Sequence, residues 1–200
     1  MEFRYPDIEA ALAAMHSIAD ERRSAFSNRL RHLQKNGFPP GTNPGRGKAV
    51  VYNVRHAVQM AVILEMNQVG LNPERAMNLA KENMSRIQAA TYLAATEMRS
   101  GDEEAILLVF DPVTLADLRD KNDWDETSAS FDVKSLSEFR ASLEDGTNLR
   151  SRRYALINVT EVVSALSHQL SLMSKYNEFA IMEEIQASAN EAGAWSYGNP

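Results

Sequence analysis

Hydrophobic residues recur at helical spacing through the first hundred positions of this chain, and the rhythm then changes. Ile8, Leu12 and Met15 fall on one side of a helix predicted over residues 7–18, with Asp7 as its N-cap. A second helix is predicted over residues 20–36. Its apolar residues Phe26, Leu30 and Leu33 form one stripe, and Gly37 ends it where a positive φ costs little. Residues 38–48 (FPPGTNPGRGK) hold three prolines and three glycines, so they form an extended loop. The β-prone run 49–52 (AVVY) is expected to pair back across that loop as a wing. Asn53 caps a largely apolar helix carrying Ala57, Met60, Ala61, Leu64 and Met66. Asn72-Pro73-Glu74 starts another, which its apolar spacing extends through Ile87, Ala90, Leu93 and Ala94 toward Met98. Ser100-Gly101-Asp102 closes that helix and marks a domain boundary.

Beyond Gly101 short apolar runs alternate with helical stripes. Residues 105–110 (AILLVF) predict a buried strand stopped by Asp111-Pro112, with a short helix through Leu115 and Leu118 after it. Residues 120–130 form an acidic, polar loop. A weaker strand over 128–133 precedes a helix bearing Leu136, Phe139 and Leu143. Residues 154–159 (YALINV) predict a third strand, and Thr160 caps a helix with Val163, Leu166, Leu170 and Met173 that runs toward Ile185. Strand, polar cap and helix thus recur three times, a punctuation common to many α/β chains.

Composition narrows the class. The chain has 200 residues, 44% hydrophobic and 24% charged, which is enough to bury a core and too apolar for wholesale disorder. No apolar run approaches the ~20 residues of a membrane span, and no signal peptide is evident, so a cytoplasmic protein is expected. The absence of cysteine excludes disulfides, thiolate metal sites and cysteine nucleophiles.

Charge changes the picture more. The net charge of −6 is an average over two unlike regions. From Arg22 to His56 the chain carries eight basic residues and no Asp or Glu, which leaves −14 for all other positions together. Residues 100–150 alone hold 13 acids against five bases. A basic window beside an acidic remainder is the footprint of a nucleic-acid surface, although a solvated basic face has the same composition.

The run Arg29-Leu30-Arg31-His32-Leu33-Gln34-Lys35-Asn36-Gly37-Phe38-Pro39-Pro40 resembles the second-helix signature of the MerR family of winged helix-turn-helix regulators. The Gly-rich loop ending at Tyr52 resembles that family's wing, and residues 53–79 are similar to its following helix pair. His32 and Leu33 stand where the family carries two tyrosines, and Val50 and Val51 where its wings carry Arg. The resemblance covers about a third of the chain. It implies a mostly helical winged helix-turn-helix DNA-binding domain over residues 1–84 and a connecting helix over 85–101; with the strand–helix pattern read as a small α/β dimerisation or sensing domain over 102–200, the expected fold class is α+β. It also implies a homodimer held by a long helix after the winged domain, sequence-specific binding of double-stranded DNA, and transcriptional regulation without thiolate metal sensing.

The side chains suit that role. Arg bonds guanine and Asn bonds adenine bidentately in the major groove, so Arg22, Arg23, Asn28 and Arg29 are expected at base edges. Arg31, His32 and Lys35 are expected at phosphates, Arg46 and Lys48 of the wing, with Tyr52 at its end, at the backbone or in the minor groove, and Arg55 near a helix N-terminus at phosphate. Arg31 has Glu65 as an alternative partner, and His32 an alternative as a packed residue. The acidic C-terminal half would be held off DNA, free to meet a basic partner such as an RNA polymerase subunit; in a bacterium the protein would associate with the nucleoid.

Other chemistries find little footing. His16, His32, His56 and His168 lack metal-ligand spacing. The Gly-rich stretch 41–48 lacks the Gly-Lys-Ser/Thr ending of a phosphate loop, and Asp123, Asp125 and Glu126 lack the twelve-residue calcium pattern. No catalytic constellation and no cofactor fingerprint emerges. Beside the regulator stand two rivals: an adaptor whose basic winged domain binds an acidic protein, and a small α/β enzyme.

Overall fold

Local side-chain chemistry sets where most of the helices begin and end. The computed structural model describes residues 1–42, 50–101, 104–112, 131–145 and 153–191. Helix α1 (Tyr5–Met15) opens with Pro6 in its first turn, and Asp7 accepts from both the backbone N–H and the guanidinium of Arg4. A short 3-10 turn (Asp20–Arg22) leads into α2 (Arg23–Lys35). Gly37, at φ 70°, terminates α2, with the Phe38 N–H on the Leu33 carbonyl at 3.0 Å and the Gly37 N–H on that of Gln34 at 2.9 Å. Asn53 caps α3 (Val54–Gln68): its Oδ1 accepts from the His56 N–H at 3.1 Å, and His56 Nδ1 accepts in return from the Asn53 N–H. Asn72 caps α4 (Pro73–Glu82) through the Arg75 N–H at 2.8 Å.

The long helix expected from Pro73 to Met98 is instead two. Asn83 turns its side chain back onto the Leu79 carbonyl at 3.0 Å, and α5 (Met84–Ser100) starts afresh beyond it. An Asn side chain that hydrogen-bonds the preceding turn competes with helix continuation, which an apolar period cannot reveal. Gly101, at φ 80°, closes α5 as expected.

Strands β1 (Ile106–Phe110), β2 (Phe131–Ser135) and β3 (Ala155–Asn158) make one antiparallel sheet in the order β2-β1-β3. Leu108 sits opposite Val133 on one side and Ile157 on the other. The fold is therefore α+β, mostly helical, and the strand–helix punctuation does not build a parallel sheet. The central strand is covered on both faces, which explains its unbroken apolar run. Ile106, Leu108 and Phe110 join the main core, while Leu107 and Val109 meet Phe139 of α6 (Leu136–Asp145). Helix α7 (Val159–Met173) is capped by Asn158 rather than Thr160; Thr160 Oγ1 instead accepts from the Ile106 N–H and ties the helix start to β1. The run predicted toward Ile185 breaks after α7, and α8 (Glu178–Glu191) folds back on α5 and α7. The helix predicted through Leu115 and Leu118 lies outside the described residues.

Helix α3 is the axis of the core. Ten of its residues are buried, including Val54, Ala57, Met60, Ile63 and Met66. Around it pack α1, α4, α7 and α8. One continuous apolar cluster runs from Phe3 and Ile8 through α3 to Phe110, Leu166 and Ile185. The boundary predicted at Gly101 thus does not separate two cores: the C-terminal helices α7 and α8 complete the burial of the N-terminal ones. No helix among the described residues is long and apolar enough to cross a membrane.

Candidate nucleic-acid interface

Helix α2 lies at the periphery, held by one row of side chains. Phe26, Leu30 and Leu33 are buried, and each such side chain contributes about 1.5–3 kcal/mol of burial. Two polar contacts hold the same side. Ser27 Oγ donates to Glu9 of α1 at 3.3 Å, and Gln34 Nε2 donates to the Tyr52 hydroxyl at 2.6 Å. Arg22, Asn28, Arg29, Arg31, His32 and Lys35 are exposed, and Arg23 is half-buried. The helix contains no acid, and no ion pair among the described residues involves a side chain of α2. Among the described residues no carboxylate forms an ion pair with these guanidinium groups, so the exposed side of the helix presents its positive charge to solvent.

Two residues beyond the sequence expectation complete this face. Lys81 of α4 donates Nζ to the Asn36 carbonyl at 3.3 Å, placing another cation at the C-terminal end of α2, where the helix dipole is negative. Asn36 Nδ2 donates to the His32 carbonyl at 2.8 Å and stands 3.3 Å from His32 Nε2. The Asn36–His32 pair carried a sequence signal, since residues four apart share a helix side. Lys81 carried none, being far away along the chain.

Two predicted contacts belong to the interior. Tyr52 is 3% exposed, its ring 5.8 Å from that of Tyr5, and its backbone bridges Phe3; most of the 38–48 loop it was expected to pair across lies outside the described residues. Burial pushes its phenol pKa up, so it remains a neutral acceptor for Gln34. Arg55 is half-buried: Nη2 donates to the Ser188 carbonyl of α8 at 2.6 Å, and Nε is buried without a partner among the described residues. A guanidinium committed to α8 is a strut between the two halves of the chain, not a free phosphate ligand. Arg46 and Lys48 lie outside the described residues.

The alternative partners offered for α2 fall away. Glu65 faces His16, with Oε1 3.7 Å from Nδ1, rather than Arg31. Burial pushes the His16 pKa down and that of Glu65 up, so both are driven toward their neutral forms and the contact is not a strong ion pair. His32 is exposed, not packed. Among the described residues no group of three His, Cys, Asp or Glu side chains is placed to hold a metal ion. Comparison with protein-family models, with curated proteins and with solved structures finds no match for this chain.

Proposed function

We propose that the chain is a sequence-specific, double-stranded-DNA-binding transcriptional regulator that acts as a homodimer, with α2 as the element laid in the major groove. One observation carries this reading: α2 turns an acid-free, unpaired row of cations and hydrogen-bonding side chains to solvent. Major-groove contact needs such a helix, about 10–12 Å across, with donors at its exposed side and cations at its margins. The order of elements also suits a winged helix-turn-helix: α1, a turn, α2, a Gly- and Pro-rich loop, then α3 and α4. The acid-rich C-terminal half is repelled by phosphates and so favours docking through α2 alone. A two-fold dimer would set two copies of α2 on half-sites one helical turn apart.

The deciding experiment is duplex binding by fluorescence anisotropy across a salt series with random-sequence and selected DNA. If about six phosphates are engaged, log affinity falls with log salt at a slope near −5. No binding at low salt, or binding with no salt dependence, would falsify the reading and leave the basic face to an acidic protein partner.

A further inference from the structure

The burial of α2 fixes which of its side chains stands at the crest, and the result exchanges the roles that residue type suggests for Arg29 and His32 while keeping Asn28 at the bases and Arg31 at the backbone. With about 100° per residue, Asn28, His32 and Lys35 fall within about 60° of one another, opposite the Phe26–Leu30–Leu33 row. Arg29 and Arg31 lie about 160° apart, one on each flank of that crest. A helix seated in the groove presents its crest to the base pairs and its flanks to the two phosphate strands.

We propose, resting on the DNA-binding reading above, that Asn28 and His32 are the base-reading residues, and that Arg29 and Arg31 clamp the opposing backbones. Asn28 offers an acceptor and a donor at one position, the pattern that matches adenine N6 and N7. For His32 the partner is decided by Asn36. The Asn36 amide orientation is set by its bond to the His32 carbonyl at 2.8 Å, because only the nitrogen can donate there. The same nitrogen stands 3.3 Å from His32 Nε2 and has no lone pair to offer. His32 Nε2 is therefore the acceptor, and the ring proton sits on Nδ1, which makes Nδ1 the nitrogen able to donate to a base edge. A lone donor on the crest matches guanine N7 or O6. Asn28 and His32 are four residues apart, a rise of about 6 Å, so the adenine and guanine lie about two base-pair steps apart. Asn36 is a positioning residue that acts through His32.

Two measurements test this. Long-range 15N NMR on the DNA-free protein should find the neutral His32 ring protonated on Nδ1, and N36A should mix the two tautomers. A ring protonated on Nε2 overturns the donor assignment whatever DNA does. Selection of bound duplexes from a random pool, run on wild type and single variants, gives the second. N28A should lose about tenfold or more of the discrimination at one base pair, the lower range of a bidentate contact, and H32A, which removes a single hydrogen bond, about two- to tenfold at the other. R29A and R31A should weaken every sequence alike. A base preference erased by R29A but untouched by N28A and H32A overturns the assignment while leaving DNA binding intact. A wild-type pool that enriches nothing overturns the DNA reading, and this proposal with it.

Discussion

Helix α2 and the first turn of α3 lie in the same acid-free stretch of sequence, and the two helices treat their cations in opposite ways. Helix α2 buries a single row, Phe26, Leu30 and Leu33, and leaves Arg29, Arg31 and Lys35 in water. Helix α3 is enclosed on nearly every side, and its one arginine, Arg55, is drawn inward to the Ser188 carbonyl. Counting charges along a window treats all these cations as one surface. Burial separates them into a face that can meet a polyanion and a strut that joins the N-terminal helices to α8. A cation of this window becomes surface or scaffold according to how many sides of its helix the rest of the fold covers.

The sharpest way to break that contrast is to compare the two helices by stability. Ile63 is fully buried in α3, so I63A should cost about 2–5 kcal/mol in urea unfolding. R29A on the exposed side of α2 should stay within about 0.5 kcal/mol of wild type. L30A, on the inner row of α2, should resemble I63A rather than its neighbour Arg29. An R29A protein as unstable as I63A would show that α2 has no free face.

Next in size is the pair of arginines. R55A removes a charged donor from the Ser188 carbonyl and should cost about 1.5–3 kcal/mol, with little change in the salt slope of DNA binding. R31A should do the reverse, keeping stability and reducing the magnitude of the slope by about one. A flattened slope for R55A at unchanged stability would return Arg55 to the phosphate contacts.

What the sequence made legible was local. Asn53, Asn72, Gly37 and Gly101 mark helix ends because their partners lie within a few residues, and the α2 stripe fixes its buried side without help from the rest of the chain. Long-range choices were not legible. Tyr52 and Arg55 look like contact residues until Gln34 and Ser188 claim them, and the latter is 133 positions away. The break at Asn83 is hidden because Leu79, Ala80, Ile87 and Ala90 keep their period across it. The strand order and the shared core follow from which apolar faces meet, and no single face records its partner. Of the proposed face, the exposed positions of α2 could be read from periodicity. The exclusion of Tyr52 and Arg55 and the addition of Lys81 required tertiary contacts.

The smallest expected effect concerns pH, and it also separates the two helices. Burial holds the pKa of His16 beside α3 and of His56 in its first turn below the usual value of 6.5. For His56 the nearby Arg55 charge adds to that depression, and the Pro40 backbone partly opposes it. Each folded histidine therefore binds a proton less readily than its unfolded counterpart. The unfolded state takes up more protons as pH falls below about 6.5, so stability drops from there down through the folded pKa values. Glu65 has the opposite sign: its pKa is raised by burial, so it favours the folded state at low pH and partly offsets the loss. Two histidines against one carboxyl predict a net decline in the urea midpoint between about pH 7.5 and pH 5.5. The decline should shrink in H56Q, whose side chain cannot take up the proton, and E65Q should steepen it. A midpoint that rises on acidification would mean that the Glu65 contribution exceeds both histidines, and that the α3 surroundings are less closed to charge than the burial of its neighbours indicates.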